Sequence, residues 1–159
     1  MNGWLKRSAS IVLGLVLFGT GVASMFLADF GVGPWDVLHD AIAGILGRRP
    51  GTVHVGIGVA LFGVVMAARQ PIGPGTVANV LIIGTTVNAV LAVVDAPEIL
   101  AVRIFLMVAG PLLVAFGSML YIGAGIGIGV RDGLMTALVD AGLSLRAART
   151  LVEATVLVL

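Results

Sequence analysis

Two aspartates, Asp36 and Asp132, each stand just downstream of a glycine-rich break in an apolar chain. The phrase Gly31-Val32-Gly33-Pro34-Trp35-Asp36-Val37-Leu38 returns as Gly127-Ile128-Gly129-Val130-Arg131-Asp132-Gly133-Leu134, an offset of 96 from position 36 to position 132. Ionisable groups at membrane depth are costly, so they face a protein interior or a watery cavity and mark ion, proton or substrate sites. Asp36 and Asp40 stand four apart and so share a helix face, with His39 beside them. Asp132 and Asp140 share a face in the second copy, with Thr136 between them. Arg131 either neutralises Asp132 or holds an anion with its planar fork. Trp35 takes the matching place in the first copy, where an indole reads first as an interfacial anchor.

The plain reading of both aspartates is an N-cap closing a short helix after a turn. The functional reading is a paired cation or proton site between the two copies. A second candidate sits at the twice-used tetrapeptide Pro-Gly-Thr-Val, residues 50–53 and 74–77. Thr52 and Thr76 read as N-caps there, and the sharper reading has exposed N–H groups receiving an anion or carboxylate. Asn79 follows Thr76 by three and serves the same helix start, while Asn88 reads as a hydrogen bond between helices. Arg149 and Glu153 have ion-pair spacing, and His54 is expected near an interface.

Composition sets the class. The 159 residues are 59% hydrophobic and 11% charged, with a mean hydropathy of +1.16. Soluble domains carry roughly a quarter charged residues. A net charge of +1 leaves no basic face for nucleic acid, and the absence of cysteine excludes disulfides and thiolate metal sites. Only His39 and His54 are histidines, so a His-Glu-x-x-His metal site is excluded. No serine elbow, phosphate loop or dinucleotide fingerprint occurs. A membrane aspartyl protease using Asp36 and Asp132 is the one enzymatic alternative that the residues offer. No enzyme activity, cofactor or metal is expected. The expected partners are the lipid bilayer and a small-molecule or ion substrate.

Charge-free runs place the elements. Ala9–Ala28, Val53–Ala68, Val77–Val94 and Ile104–Ile122 approach or reach the roughly 20 residues that cross a bilayer. Val37–Gly47 and Leu134–Leu145 are short segments that follow the breaks at Asp29–Asp36 and Gly123–Gly129. The glycines Gly31, Gly33, Gly127 and Gly129, with Pro34, break the helices. Gly14, Gly19 and Ala23, and Gly56, Ala60, Gly63 and Ala67, form small-residue stripes expected to pack helix on helix. The expected architecture is all-α: a polytopic transmembrane bundle with short broken helices and an internal repeat, in one domain. The first copy covers about residues 9–94 and the second about 104–159. By the offset of 96, Leu159 corresponds to position 63, so the second copy is expected to lack its last span.

Positive charge favours the cytoplasmic side, and Lys6 and Arg7 set the amino terminus there. If the short segments cross, Arg48, Arg49, Arg103, Arg146 and Arg149 join them, and only Arg69 and Arg131 lie outside. If the short segments dip in and return, Arg48, Arg49 and Arg103 move out while Arg69 and Arg131 move in. The count leans to crossing, hence to parallel copies, by one residue.

Gly-x-Gly-Pro-Trp-Asp-Val-Leu, then Gly51-Thr52-Val53, then Gly73-Pro74-Gly75-Thr76-Val77 with Asn79, resembles the YczE/YitT-type family of bacterial integral membrane proteins. Gly127-x-Gly129-x-Arg131-Asp132-Gly133-Leu134-Met135 extends the likeness, although Val130 replaces the proline usual there. The resemblance implies a multi-pass helical protein of the bacterial inner membrane and little chemistry. Two functions stay open. One is a small-solute or ion transporter with a site between the repeats, built from Asp36, Asp40, Asp132, Arg131, Trp35, Thr76 and Asn79. The other is a non-transporting scaffold or accessory subunit in which the motifs only turn and cap helices.

Overall fold

The computed structural model describes residues 3–125 and 127–159; two residues of the polar start and Ile126 of the second break lie outside the described residues. Seven helices and no strand occur among the described residues: α1 Gly3–Ala28, α2 Pro34–Leu46, α3 Pro50–Ala67, α4 Pro74–Val93, α5 Leu100–Gly123, α6 Val130–Asp140 and α7 Leu145–Val158. Helices α1, α3, α4 and α5 are long and apolar enough to cross a membrane. The 13 residues of α2 and 11 of α6 reach only about 20 Å and about 17 Å at roughly 1.5 Å per residue, short of the roughly 30 Å hydrocarbon layer.

Three helices begin three residues earlier than the apolar pattern alone suggests, and for one reason. Pro34, Pro50 and Pro74 each take the first helical position, where a missing N–H costs nothing and the fixed φ already suits the helix. The expected caps are therefore corrected. Arg49 and Gly73 occupy the N-cap positions in place of Thr52 and Thr76. Thr76 instead sits in the third helical position, and its Oγ1 accepts a bond from the Gly73 N–H at 3.2 Å. Asp36 and Asp132 do not cap either; Gly33 and Gly129 do, and each aspartate lies in its helix's first turn.

Glycine contacts give the helix directions. Gly14 lies on Gly117 and Gly21 on Gly110, so α1 and α5 are antiparallel. Gly51 lies on Gly84 and Gly58 on Val80, so α3 and α4 are antiparallel as well. Phe18 shares a cavity wall with Asn79, and Val22 shares one with Val87, which makes α1 and α4 parallel. Helices α1 and α4 thus run one way, and α3 and α5 the other. The chain between α1 and α3 enters and leaves on one side, so α2 returns rather than crosses. At the other side, Gln70 after α3 donates to Asp140 at the end of α6 at 2.7 Å, so α6 returns too. The lean toward crossing segments is corrected: a short helix that starts inside the protein ends on the side from which its loop came.

The stripe Gly56, Ala60, Gly63, Ala67 is also corrected. All four are exposed, and a Cβ at Gly56 or Gly63 would meet nothing within 4 Å. Gly51 and Gly58 make the close approach instead. The core gathers where α1, α4 and α5 meet, around Leu15, Val22, Ile83, Val87 and Tyr121.

Candidate functional site

The two breaks follow one backbone path. Asp29 and Gly125 have φ of 53° and 68°, and Gly31 and Gly127 have φ of 124° and 128°. Gly33 and Gly129 then hold φ, ψ of −64°, 159° and −62°, 152°. Each pair is 96 positions apart. The φ values of Gly31 and Gly127 are closed to residues with a Cβ, which is why glycine stands there. Gly127 is crowded besides, since a Cβ would come 2.8 Å from Thr76 Oγ1. Thr76 thus seats the second break, and Asn79 lies against Gly129 one turn further along α4.

The breaks carry the starts of α2 and α6 into the protein from opposite sides. The backbone of Tyr121, beside Asp132, lies against Gly14, near the middle of the 26-residue α1. Val22 of α1 lines the same space as Asp36 and His39. The positive ends of two helix dipoles therefore lie inside the bundle, alongside the stretch of α1 from Gly14 to Val22, each with an aspartate in its first turn.

Arg131 joins the two starts. Its guanidinium lies 3.9 Å from Asp36 Oδ1 and 5.0 Å from the centre of the Trp35 ring. Arg131 Nη2 also donates to His54 Nδ1 at 3.1 Å. Asp36 Oδ1 is shared with His39 Nδ1 at 3.4 Å, and the two imidazoles meet edge-on at 5.0 Å between centroids. Asp36, His39 and His54 are at most 8% exposed, whereas the Arg131 side chain keeps 23%. Across the site, the Tyr121 hydroxyl donates to Asp132 Oδ2 at 2.9 Å. Asp132 thus bonds Tyr121, and the near charge partner of Arg131 is Asp36 on the other short helix.

A cavity of about 240 Å³ opens at this junction, lined by Arg131, Asp132, Trp35, Asn79, Ser118 and Tyr121, with His54 at its wall. The pair Arg149–Glu153, bonded at 2.8 Å, lines its α7 side. A larger groove of about 620 Å³ between α2, α3, α6 and α7 is almost wholly apolar and offers no such chemistry. Among the described residues, no group of three His, Cys, Asp or Glu is placed to hold a metal.

Of the residues expected at a site, the structure gathers Asp36, Asp132, Arg131, Trp35 and Asn79, with Thr76 supporting. Asp40 is exposed and stands apart; Asp140 lies at the outer end of α6 on Gln70. Trp35 is an inner wall rather than an interfacial anchor. His54, expected near an interface, is buried in the site because α3 starts beside the incoming α2. Tyr121 was not legible as a site residue; as the chain's one tyrosine inside an apolar span, its hydroxyl was the only signal. Asn88 makes the expected cross-helix bond, donating to Thr52 Oγ1 at 2.8 Å.

Residues 5–159 match the family of unknown function DUF6198. An uncharacterized protein of Haemophilus influenzae is 28% identical over 155 residues, covering 97% of this chain and 71% of its own length. An uncharacterized membrane protein of Bacillus subtilis, YczE, is 26% identical over 147 residues, covering 91% of this chain and 68% of its own length. No solved structure matches. These matches bear out the likeness to YczE-type membrane proteins. The chain belongs to DUF6198, a family of unknown function.

Proposed function

We propose that this membrane protein is a small-solute or ion transporter built from two inverted repeats, with its site where α2 and α6 meet. The observation that carries it is the Arg131–Asp36 approach across two helix starts inside the bundle. Transporters commonly place substrate at the interface of inverted repeats, between half-helices whose positive ends point inward. Packing supports the repeats. Positions 14 and 110 are equivalent by the offset of 96, as are 21 and 117, yet Gly14 meets Gly117 and Gly21 meets Gly110. A two-fold axis lying across the helices produces such exchanged contacts. Likewise α3 packs on α6 and α2 packs on α7, each contact the image of the other. Lys6, Arg7, Arg69 and Arg146 gather where α1 begins, which favours a cytoplasmic amino terminus in the bacterial inner membrane.

A scaffold would need only turns and caps, and charges buried inside the bundle are costly for that purpose. Two measurements separate the readings. The chain has no cysteine, so single cysteines at Arg48 and Gly142 report topology directly. Impermeant maleimide is expected to label them from opposite faces of the membrane; labelling from one face sinks the inverted repeats. In proteoliposomes, uptake from a panel of labelled amino acids, carboxylates and alkali cations is compared with Asp36→Asn and Arg131→Gln. Loss of uptake at unchanged folded yield supports the transporter. Uptake indifferent to both substitutions, or absent across the panel, favours the scaffold.

A further inference from the structure

A guanidinium carries five N–H donors, no acceptor, and keeps its charge. The 3.1 Å contact of Arg131 Nη2 with His54 Nδ1 therefore makes Nδ1 the acceptor, and neutral His54 carries its proton on Nε2. A proton added at Nδ1 turns that acceptor into a donor. The bond to Arg131 is then lost, and two cations face each other in a low-dielectric site. The groups around His54 come from every packed element. Helix α2 presents Asp36 and His39, and α6 presents Arg131 and Asp132. Tyr121 of α5 and the Arg149–Glu153 pair of α7 stand further round the cavity, while α4 presents Asn79 and Val87, and α1 presents Phe18 and Val22. Released from His54, the Arg131 fork keeps Asp36 and the Trp35 face, and its freed N–H groups point to a cavity that also holds Asn79, Ser118 and Tyr121.

We propose that His54 is a proton-binding group and that a proton and a small organic carboxylate load this site together. The proton takes His54 off Arg131, and the carboxylate takes the vacated N–H groups. This deepens, and rests on, the transporter reading. A carboxylate fits better than phosphate because Asp132 lines the cavity and Asp36 lies 3.9 Å from the Arg131 guanidinium, and both repel a doubly charged anion more strongly. The volume of about 240 Å³ suits an anion of a few carbons. The accompanying proton offsets the charge that the anion brings to a site already holding two aspartates.

Trp35 is a native reporter beneath the guanidinium. The other tryptophan, Trp4, is 67% exposed at the start of α1, so Trp4→Phe isolates the Trp35 signal. The purified Trp4→Phe protein in nanodiscs is titrated with sodium lactate, sodium phosphate or sodium chloride at equal ionic strength, from pH 5 to 8. Lactate is expected to give a saturable change in Trp35 emission, with affinity falling toward about tenfold per pH unit, as one linked proton requires. Arg131→Gln abolishes the response, and His54→Gln binds lactate with a pH slope near zero. A pH-independent lactate affinity, no saturable lactate response, or phosphate or chloride acting as well as lactate overturns the proposal. An unchanged slope in His54→Gln does so too, and if that variant fails to fold, the slope of the Trp4→Phe protein decides. Proton-linked lactate binding without flux in proteoliposomes sinks transport alone; flux without pH dependence sinks the proton link alone.

Discussion

The Arg131 guanidinium lies 5.0 Å from the centre of the Trp35 ring, and these two residues hold the same place in the two Gly-x-Gly-x-x-Asp phrases. Equivalent positions touch one another only beside a two-fold axis, so under the two-repeat proposal the axis passes between them. The two short helices match in backbone and in their first-turn aspartates; they differ where they meet. One copy supplies a flat aromatic face and the other a cation, a pairing that identical residues would not make. Two arginines there would repel, and two indoles would leave Asp36 without a guanidinium partner.

The Tyr121 hydroxyl bonded to Asp132 at 2.9 Å is a charge-assisted contact inside the bundle. Tyr121→Phe removes the donor and keeps the ring, so a loss of about 1.5–3 kcal/mol in unfolding free energy is expected. Asp132→Ala removes the acceptor and should make Tyr121→Phe much less costly. Additive losses in that double-mutant cycle, read by denaturation in detergent, would show that the bond does not exist in solution.

Gly31 and Gly127 share φ of 124° and 128°, so alanine strains both breaks alike, by an order of 1–3 kcal/mol. Space separates them. A Cβ at Gly31 meets nothing within 4 Å, whereas one at Gly127 meets Thr76 Oγ1 at 2.8 Å and Gly73 Cα at 3.2 Å. Gly127→Ala should therefore lower the melting temperature more than Gly31→Ala. Equal shifts would mean that the second break does not press on the α4 start.

Gly21 and Gly56 test helix packing. A Cβ at Gly21 would come 2.5 Å from the Gly110 carbonyl oxygen, forcing α1 and α5 apart; Gly56 is open. Gly21→Ala should destabilise by about 1–3 kcal/mol as an overpacked contact. Gly56→Ala should be neutral or stabilising by up to about 1 kcal/mol through helix propensity. The reverse order would place the α3 outer stripe, not α1–α5, at a helix contact.

Much of the bundle was legible. Apolar runs located the long helices, because a span must bury its backbone hydrogen bonds within itself and cover them with apolar side chains. Glycine spacing located both breaks, because Gly31 and Gly127 adopt backbone angles that side chains forbid. Helix starts were misplaced because proline breaks a helix from within yet suits its first residue. The Gly56 stripe misled because α3 is apolar all round, and spacing cannot choose a face when every face is apolar. The direction of the short helices was hidden as well, since Arg48, Arg49 and Arg103 counter the charges at the other side almost evenly.

By itself, the sequence determined a helical membrane protein, two matched glycine breaks and an aspartate near the start of each short helix. These follow from composition and local backbone sterics, which act over a few residues. The tertiary structure alone decided that α2 and α6 return, that Arg131 reaches Asp36 rather than Asp132, and that His54 and Tyr121 face the same junction. Arg131 and His54 are separated by 76 intervening positions, and no local rule links them. Their meeting depends on α3 and α6 packing side by side, which in turn depends on which glycines let helices approach. Only the packed bundle brings the two glycine phrases to one junction.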